Sequence, residues 1–307
     1  SAIKLSGHGG DAETWHENSG TWATSTAFAA SPVPFVKRFV DDHPIEGDIG
    51  RVWDRKLPAS AYRFEDAAAG ERPPEGWTAT FPHQIARADE RSEEGVFELW
   101  RESPLSDDYL GQMARAAVDA LKLGRGPETD FLGVSFSALD LVGHDFGPRS
   151  HEVQDVLVRL DATIGALLEH LDKAIGPDRY VVALTADHGV ARIPEQAVGE
   201  GADSGRILST AVVARVEAAL AQAIAPGKYV ARMEYTSFYF RPGVYDKLTA
   251  QPDALKTVIE TIAATPGVAR VFRGEELRDR DSADPVGRAA ALSQFPGRSG
   301  DLVIVPK

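Results

Sequence analysis

Apolar positions along the chain fall into stretches of unequal regularity. From His8 to about Trp100 the sequence is rich in Gly, Pro, Trp and acidic residues with weak periodicity, which predicts loops with short helices around Pro34 to Val40. Leu110, Met113, Ala117 and Leu121 then recur on one helical face, predicting a helix over Ser106 to Leu123 with Ser106 as N-cap and Gly124 as its stop. The run Phe131-Leu-Gly-Val-Ser-Phe136 is almost continuously apolar, as a buried strand would be. A long helix follows: Val153, Val156, Leu157, Leu160, Ile164, Leu167, Leu168, Leu171 and Ile175 recur at helical spacing, between Ser150 as N-cap and Gly176-Pro177. Tyr180-Val-Val-Ala-Leu-Thr185 is a second apolar strand, so the three segments together read as a βαβ unit.

Beyond Gly189 a Gly-rich loop runs to Gly205. The pattern then predicts a helix from Ser209 to about Ile224, a strand at Ser237-Phe-Tyr-Phe240, a helix from Asp253 to Ala264 and strands at 267–272 and 300–305. The fold class read from this succession is α/β, a mostly parallel sheet flanked by helices with a small α+β subdomain. Three segments are expected: a core over 1–200 with a loop-rich N-terminal part, the subdomain over 201–272, and a return to the core over 273–307.

Composition narrows the chemistry. With 307 residues and 43% apolar content the chain can bury a large core. No apolar run approaches the roughly 18 residues of a membrane span. The 33 basic and 46 acidic side chains leave a formal net charge of −13 without a basic cluster, which argues against nucleic acid as a macromolecular partner. Cys is absent, excluding disulfides, thiolate metal sites and a Cys nucleophile. The N-terminus lacks a signal-peptide pattern and does not begin with Met.

In an open parallel sheet, ligands bind beyond the carboxyl ends of strands. Asp140 and His144 follow the first predicted strand of the βαβ unit, in the loop to the long helix, and Asp187 and His188 follow the second. Carboxylate oxygens and imidazole nitrogens suit zinc and similar cations, and two such pairs imply two metals about 3.5 to 4 Å apart. A lone Asp-x-x-x-His is more often a helix-start cap, and a lone Asp-His-Gly more often a turn. Their joint position at two strand ends favours metal.

The pattern Asp140-x-x-Gly143-His144-x-Phe-Gly147-Pro148-x-Ser150-x-Glu152-x-x-Asp155, then Arg159-Leu-Asp161 and Thr185-Ala-Asp187-His188-Gly189, resembles the alkaline phosphatase superfamily in its type I phosphodiesterase/nucleotide pyrophosphatase branch. Gly7-His8 with Trp15, the segment 20–26, Pro34-Phe-Val with Phe39, Ser103-Pro104, Thr129-Asp-Phe-Leu132, Ile193-Pro194-Glu195 and Arg298-Ser-Gly-Asp301 resemble the PafA-type, phosphate-irrepressible alkaline phosphatases. The resemblance implies an alkaline-phosphatase-like fold and a zinc-dependent phosphomonoesterase, with phosphodiesterase or nucleotide pyrophosphatase activity as the near alternative. It assigns Asp140 and His144 to one of two zinc ions and Asp187 and His188 to the other. It also implies a small phosphate-ester substrate and a periplasmic or secreted location.

The family's nucleophile, a Thr that forms a covalent phospho-enzyme, matches no residue of this chain. Its Lys-x-Arg phosphate contacts would fall upstream of Ser1, so Lys4 is not assigned that role, and a further His ligand would fall past Lys307. The chain is therefore expected to be a truncated, metal-bearing portion of such an enzyme, with weak metal binding and little turnover. Both ends fit trypsin-like cleavage. The reading from a different class is an inactive remnant that binds metal or phosphate or serves as an interaction module.

Other candidates carry blander expectations. Thr24, Ser25 and Thr26 are read as surface or capping residues. His151, in the first helical turn, is expected to face solvent, and His170 to be structural. His43 and His83 are expected in loops, Arg298 and Asp301 in a hydrogen-bonded loop. His8 and His16 flank a Gly-Gly-Asp turn, and the resemblance assigns them no role.

Overall fold

A computed structural model of the chain describes residues 10–28, 33–85 and 93–307. The chain forms two compact units, Ser1–Gln196 and Ala197–Lys307.

In the first unit two short antiparallel ladders, β1 (Trp15–His16) with β2 (Trp22–Ala23) and β3 (Val52–Trp53) with β4 (His83–Gln84), tie down long loops around helix α1 (Pro34–Asp42). Helix α2 (Glu93–Arg101) precedes α3 (Pro104–Ala120), which starts earlier than expected. The Ser103 hydroxyl accepts from Leu105 N at 3.3 Å, and Pro104 occupies the first turn, where its missing N–H costs nothing. Next come α4 (Ala138–Phe146) and the long α5 (His151–Ile175). Ser150 caps α5 through Val153 N at 3.1 Å, and Gly176 ends it at φ 100°, both as the sequence predicts. Helices α3 and α5 approach closely because position 111 is glycine: a Cβ there would lie 2.4 Å from Thr163 Cγ2. The core between them and the loops is aromatic, with Trp53, Trp77, Phe81, Trp100 and Phe146 all buried.

The short helix α6 (Pro194–Gly199) interrupts the region read as a loop. The second unit then runs α7 (Ser209–Ala223), β5 (Val230–Glu234), β6 (Ser237–Phe240), α8 (Val244–Thr249), α9 (Pro252–Ala263), β7 (Val268–Arg273), α10 (Pro285–Ser293) and β8 (Leu302–Pro306). The strands form an antiparallel sheet in the order β5-β6-β8-β7. Its buried face carries Phe238, Phe240, Leu302 and Ile304, the period-2 set of two neighbouring strands, packed with Val216 and Leu220 of α7 and Val258 and Ile262 of α9.

Two expectations are corrected. Residues 273–307 do not return to the larger unit; β8 pairs with β6 and β7, because Leu302 and Ile304 complete the apolar face of that sheet. The segments 131–136 and 180–185 flank α5 as foreseen, yet neither joins a ladder, and every ladder among the described residues is antiparallel. Phe131 is 70% and Val181 97% exposed rather than buried. A parallel strand needs a hydrogen-bonded neighbour and cover on both faces, and the described residues supply these segments with neither.

Candidate metal centre

Asp140 and His144 lie on α4, a helix where the sequence reading placed a loop. Their spacing of four sets both on one helical face. Asp187 and His188 follow the segment 180–185, which forms no regular element. The structure brings the two groups together: Asp140 Oδ2 lies 3.5 Å from His144 Nε2, and its other oxygen, Oδ1, lies 3.6 Å from His188 Nε2. His188 Nε2 is also 3.7 Å from Asp187 Oδ1. One carboxylate thus stands between two imidazoles, with a second carboxylate beside one of them.

These separations test the fit of a cation. Two donors each about 2.0–2.2 Å from a tetrahedral zinc lie about 3.4 Å apart, so the donor spacing and the oxygen-plus-nitrogen donor set both suit a divalent ion. The His188 ring is oriented for it: Nδ1 lies 3.1 Å from the Gly189 carbonyl, and donation there leaves the Nε2 lone pair toward the carboxylates. Among the described residues, no group of three or more acidic, His or Cys side chains converges closely enough to hold a metal by itself. What the described residues offer are neighbouring donor pairs, Asp140 with His144 and His188 with Asp140 or Asp187. The site is open, with the His144 and Asp187 side chains each 72% exposed.

Both ends of the helix that carries Asp140 and His144 are held by specific contacts. Gly147 ends α4 at φ 79° and ψ 163°, a region only glycine enters readily, and a Cβ there would meet Ile193 Cδ1 at 2.4 Å. At the other end Asp107, which the sequence reading passes over, accepts from Ser137 N at 3.0 Å and Ala138 N at 3.2 Å. Burial raises its carboxyl to about 6, although these two bonds oppose the rise. Its only sequence signal is an acidic residue one turn into a Ser-Pro helix start.

Below the first turn of α5 sits a second polar cluster. Asp155 is fully buried and accepts from Trp53 Nε1 at 2.7 Å, Lys56 N at 2.7 Å, Tyr62 OH at 2.6 Å and Arg159 Nε at 2.5 Å. Burial alone would raise its carboxyl, but the donors win and lower it. Glu152 Oε1 lies 2.9 Å from His83 Nε2, both side chains being fully buried. His83 is thus a core residue rather than a loop residue, ringed by Trp53, Trp77, Phe81 and Phe146. His151 is likewise buried, against the expectation of exposure, because the loop carrying Phe64 covers it: its Nε2 donates to Phe64 O at 2.7 Å.

The remaining candidates stand apart from the centre. His170 Nε2 lies 3.1 Å from Asp119 Oδ2, and His43 stacks on Phe39. Ser25 Oγ accepts from Ala27 N at 3.2 Å, Thr26 is exposed, and Thr24 Oγ1 is shielded without a partner. Asp301 Oδ2 accepts from Phe240 N at 2.8 Å, and Arg298 lies over the Phe295 ring. His16 packs between Trp22 and Trp100, where burial and then Arg101 lower its imidazole to about 4. Lys4, Gly7 and His8 lie outside the described residues.

The sequence profile of the type I phosphodiesterase/nucleotide pyrophosphatase family matches residues 50–307. Alkaline phosphatase PafA of Elizabethkingia meningoseptica is 26% identical over 316 aligned positions, covering 100% of this chain and 56% of the relative. Alkaline phosphatase PhoK of a Sphingomonas species is 33% identical over 226 positions, covering 69% of this chain and 39% of the relative. The crystal structure of wild-type PafA superposes with a TM-score of 0.83 at 27% identity, over 97% of this chain and 57% of that one. The fold is alkaline-phosphatase-like. The chain spans 39% to 56% of the length of these two curated relatives.

Proposed function

We propose, because this chain belongs to the type I phosphodiesterase/nucleotide pyrophosphatase family, that the protein is a zinc-dependent phosphomonoesterase of the PafA type. The observation that carries this reading is the carboxylate of Asp140 standing 3.5 Å from His144 and 3.6 Å from His188. In it, Asp140 and His144 hold one zinc ion, and Asp187 and His188 hold the other. Bound cations supply Lewis acidity and the positive charge that a chain of net charge −13 needs in order to receive a phosphate. The chain's own residues do the placing. Helix α4 sets Asp140 and His144 on one face, the Gly189 carbonyl turns His188, and the exposure of His144 and Asp187 leaves the centre open to a small phosphate ester.

The family profile equally covers diesterases, and a nucleotide pyrophosphatase/phosphodiesterase of Homo sapiens is 30% identical over 70 residues, which keeps diester or pyrophosphate cleavage as the second reading. The family's alkaline phosphatases also support a periplasmic or secreted location. Among the described residues no helix is long and apolar enough to cross a membrane.

The test is hydrolysis by the product of the complete gene, with two aryl substrates, a phosphate monoester and a phosphate diester, before and after chelation and zinc restoration. Faster monoester cleavage that is lost on chelation and abolished by Asp187→Ala supports the first reading. Preferential diester cleavage favours the second. Unchanged rates in Asp187→Ala at full metal content overturn the metal assignment.

A further inference from the structure

We propose that Asp107 is a positioning residue for the Asp140/His144 pair, acting through the start of helix α4; this rests on the metal reading above. The first amides of a helix have no partner within it and need acceptors from outside. Ser137 stands at the N-cap of α4, but its side chain makes no capping bond. The acceptor comes from another helix: Oδ1 of Asp107, in the first turn of α3, takes both Ser137 N at 3.0 Å and Ala138 N at 3.2 Å. A carboxylate at this end of a helix also opposes the helix dipole favourably. Asp107 is only 3% exposed, so water does not compete for these bonds.

The functional consequence follows from how Asp140 and His144 are held. Both side chains are substantially exposed, and no buried packing fixes them, so their positions derive from the backbone of α4. That helix has nine residues and is fixed at its far end by Gly147. Asp140 lies in its first turn, one turn from the Asp107 contact. The distance between Asp140 and His188 joins α4 to a different segment of the chain, so a first turn that frays or swings displaces Asp140 Oδ1 from His188 Nε2. The Asp107 bonds set the end of α4 from which that separation is measured.

The test uses the 307-residue chain in four forms: unaltered, Asp107→Ala, Asp107→Asn and Met113→Ala. Asn keeps an oxygen in the Oδ1 position, whereas Met113→Ala removes buried volume from the same helix while leaving the Asp107 carboxylate in place, and so controls for general destabilisation. Hydrogen exchange across residues 137–146 and cobalt(II) affinity, read from the visible spectrum, are measured on each. Asp107→Ala is expected to speed exchange in the first turn of α4 about tenfold and weaken cobalt binding about tenfold, with Asp107→Asn close to the unaltered chain. Unchanged exchange in Asp107→Ala overturns the proposal. So does equal cobalt affinity in Asp107→Ala and the unaltered chain, or a loss that Met113→Ala reproduces. An unaltered chain that binds no cobalt overturns the metal reading instead, and the exchange of residues 137–146 then decides alone whether Asp107 positions α4.

Discussion

The Nε2 atom of His188 lies 3.6 Å from Oδ1 of Asp140, and it is this contact that joins two separate ligand-type pairs into one centre. The second Asp140 oxygen faces His144, so loss of the Asp140 carboxylate removes a ligand of the first proposed zinc and also the contact that places His188 of the second. Asp140→Ala is expected to lower zinc affinity more than His144→Ala does, by on the order of 100-fold relative to the unaltered protein. Competition with a chromophoric chelator measures both variants; equal losses count against a shared role for Asp140.

Asp107 makes stability depend on pH with a definite sign. Its folded carboxyl is raised to about 6, above the ordinary value near 3.9 of an unfolded chain. The folded state therefore keeps its proton while the unfolded state loses it, so stability falls as pH rises from about 4 to about 6 and is level above. Asp107→Asn is expected to flatten this interval and to raise stability at pH 7 by on the order of 2 kcal/mol. Urea unfolding across pH 4 to 8 reads the difference between the two proteins.

Asp155 has the opposite sign. Its folded carboxyl is lowered by donors that outweigh burial, so its contribution is present above about pH 3.9 and is lost as pH falls toward the folded value. Asp155→Ala strands Trp53, Tyr62 and Arg159 together and is expected to cost about 3 kcal/mol. Tyr62→Phe removes one bond and is expected to cost about 1 kcal/mol. Denaturant midpoints of the two variants should rank in that order.

A side chain at position 147 is strained. The Gly147 φ of 79° with ψ 163° and the 2.4 Å approach of Ile193 to a Cβ there mean that Gly147→Ala must shift either the end of α4 or Ile193. The expected cost is about 1–3 kcal/mol, with weaker metal binding through His144. Thermal unfolding and zinc titration of the variant check both parts.

Val181 and Leu184 are 97% and 78% exposed on a segment that joins no ladder among the described residues, and neighbouring exposed apolar side chains promote self-association. Val181→Lys is expected to reduce light scattering at high protein concentration while changing stability by less than about 0.5 kcal/mol. A scattering curve equal to that of the unaltered chain would count against this apolar patch being adhesive.

Helices were the most legible part of the fold. The limits of α5 follow from Ser150, Gly176 and an apolar repeat between them, all local signals. The start of α3 moved from Ser106 to Ser103 because two serines could cap and Pro104 favours the earlier one. Segments 131–136 and 180–185 were misread for a physical reason: apolar composition records a preference for burial, whereas a ladder needs a partner that composition does not name. His83 and His151 were misplaced in the same way, since a neighbouring Pro or a first-turn position says nothing about which distant loop closes over the ring.

By itself the sequence determined which chemistry is available: Asp140 and His144 four residues apart, Asp187 and His188 adjacent, no thiol, and a net charge that calls for cations near any phosphate. Spacing, capping and charge act over a few residues, so they can be read without coordinates. Tertiary structure alone decided that Asp140 faces both imidazoles, that Asp107 caps the helix carrying it, and that β8 completes the sheet of the second unit. Each of these depends on side chains far apart in the chain meeting at hydrogen-bonding or packing distance, and that meeting is a product of the core rather than of any local pattern.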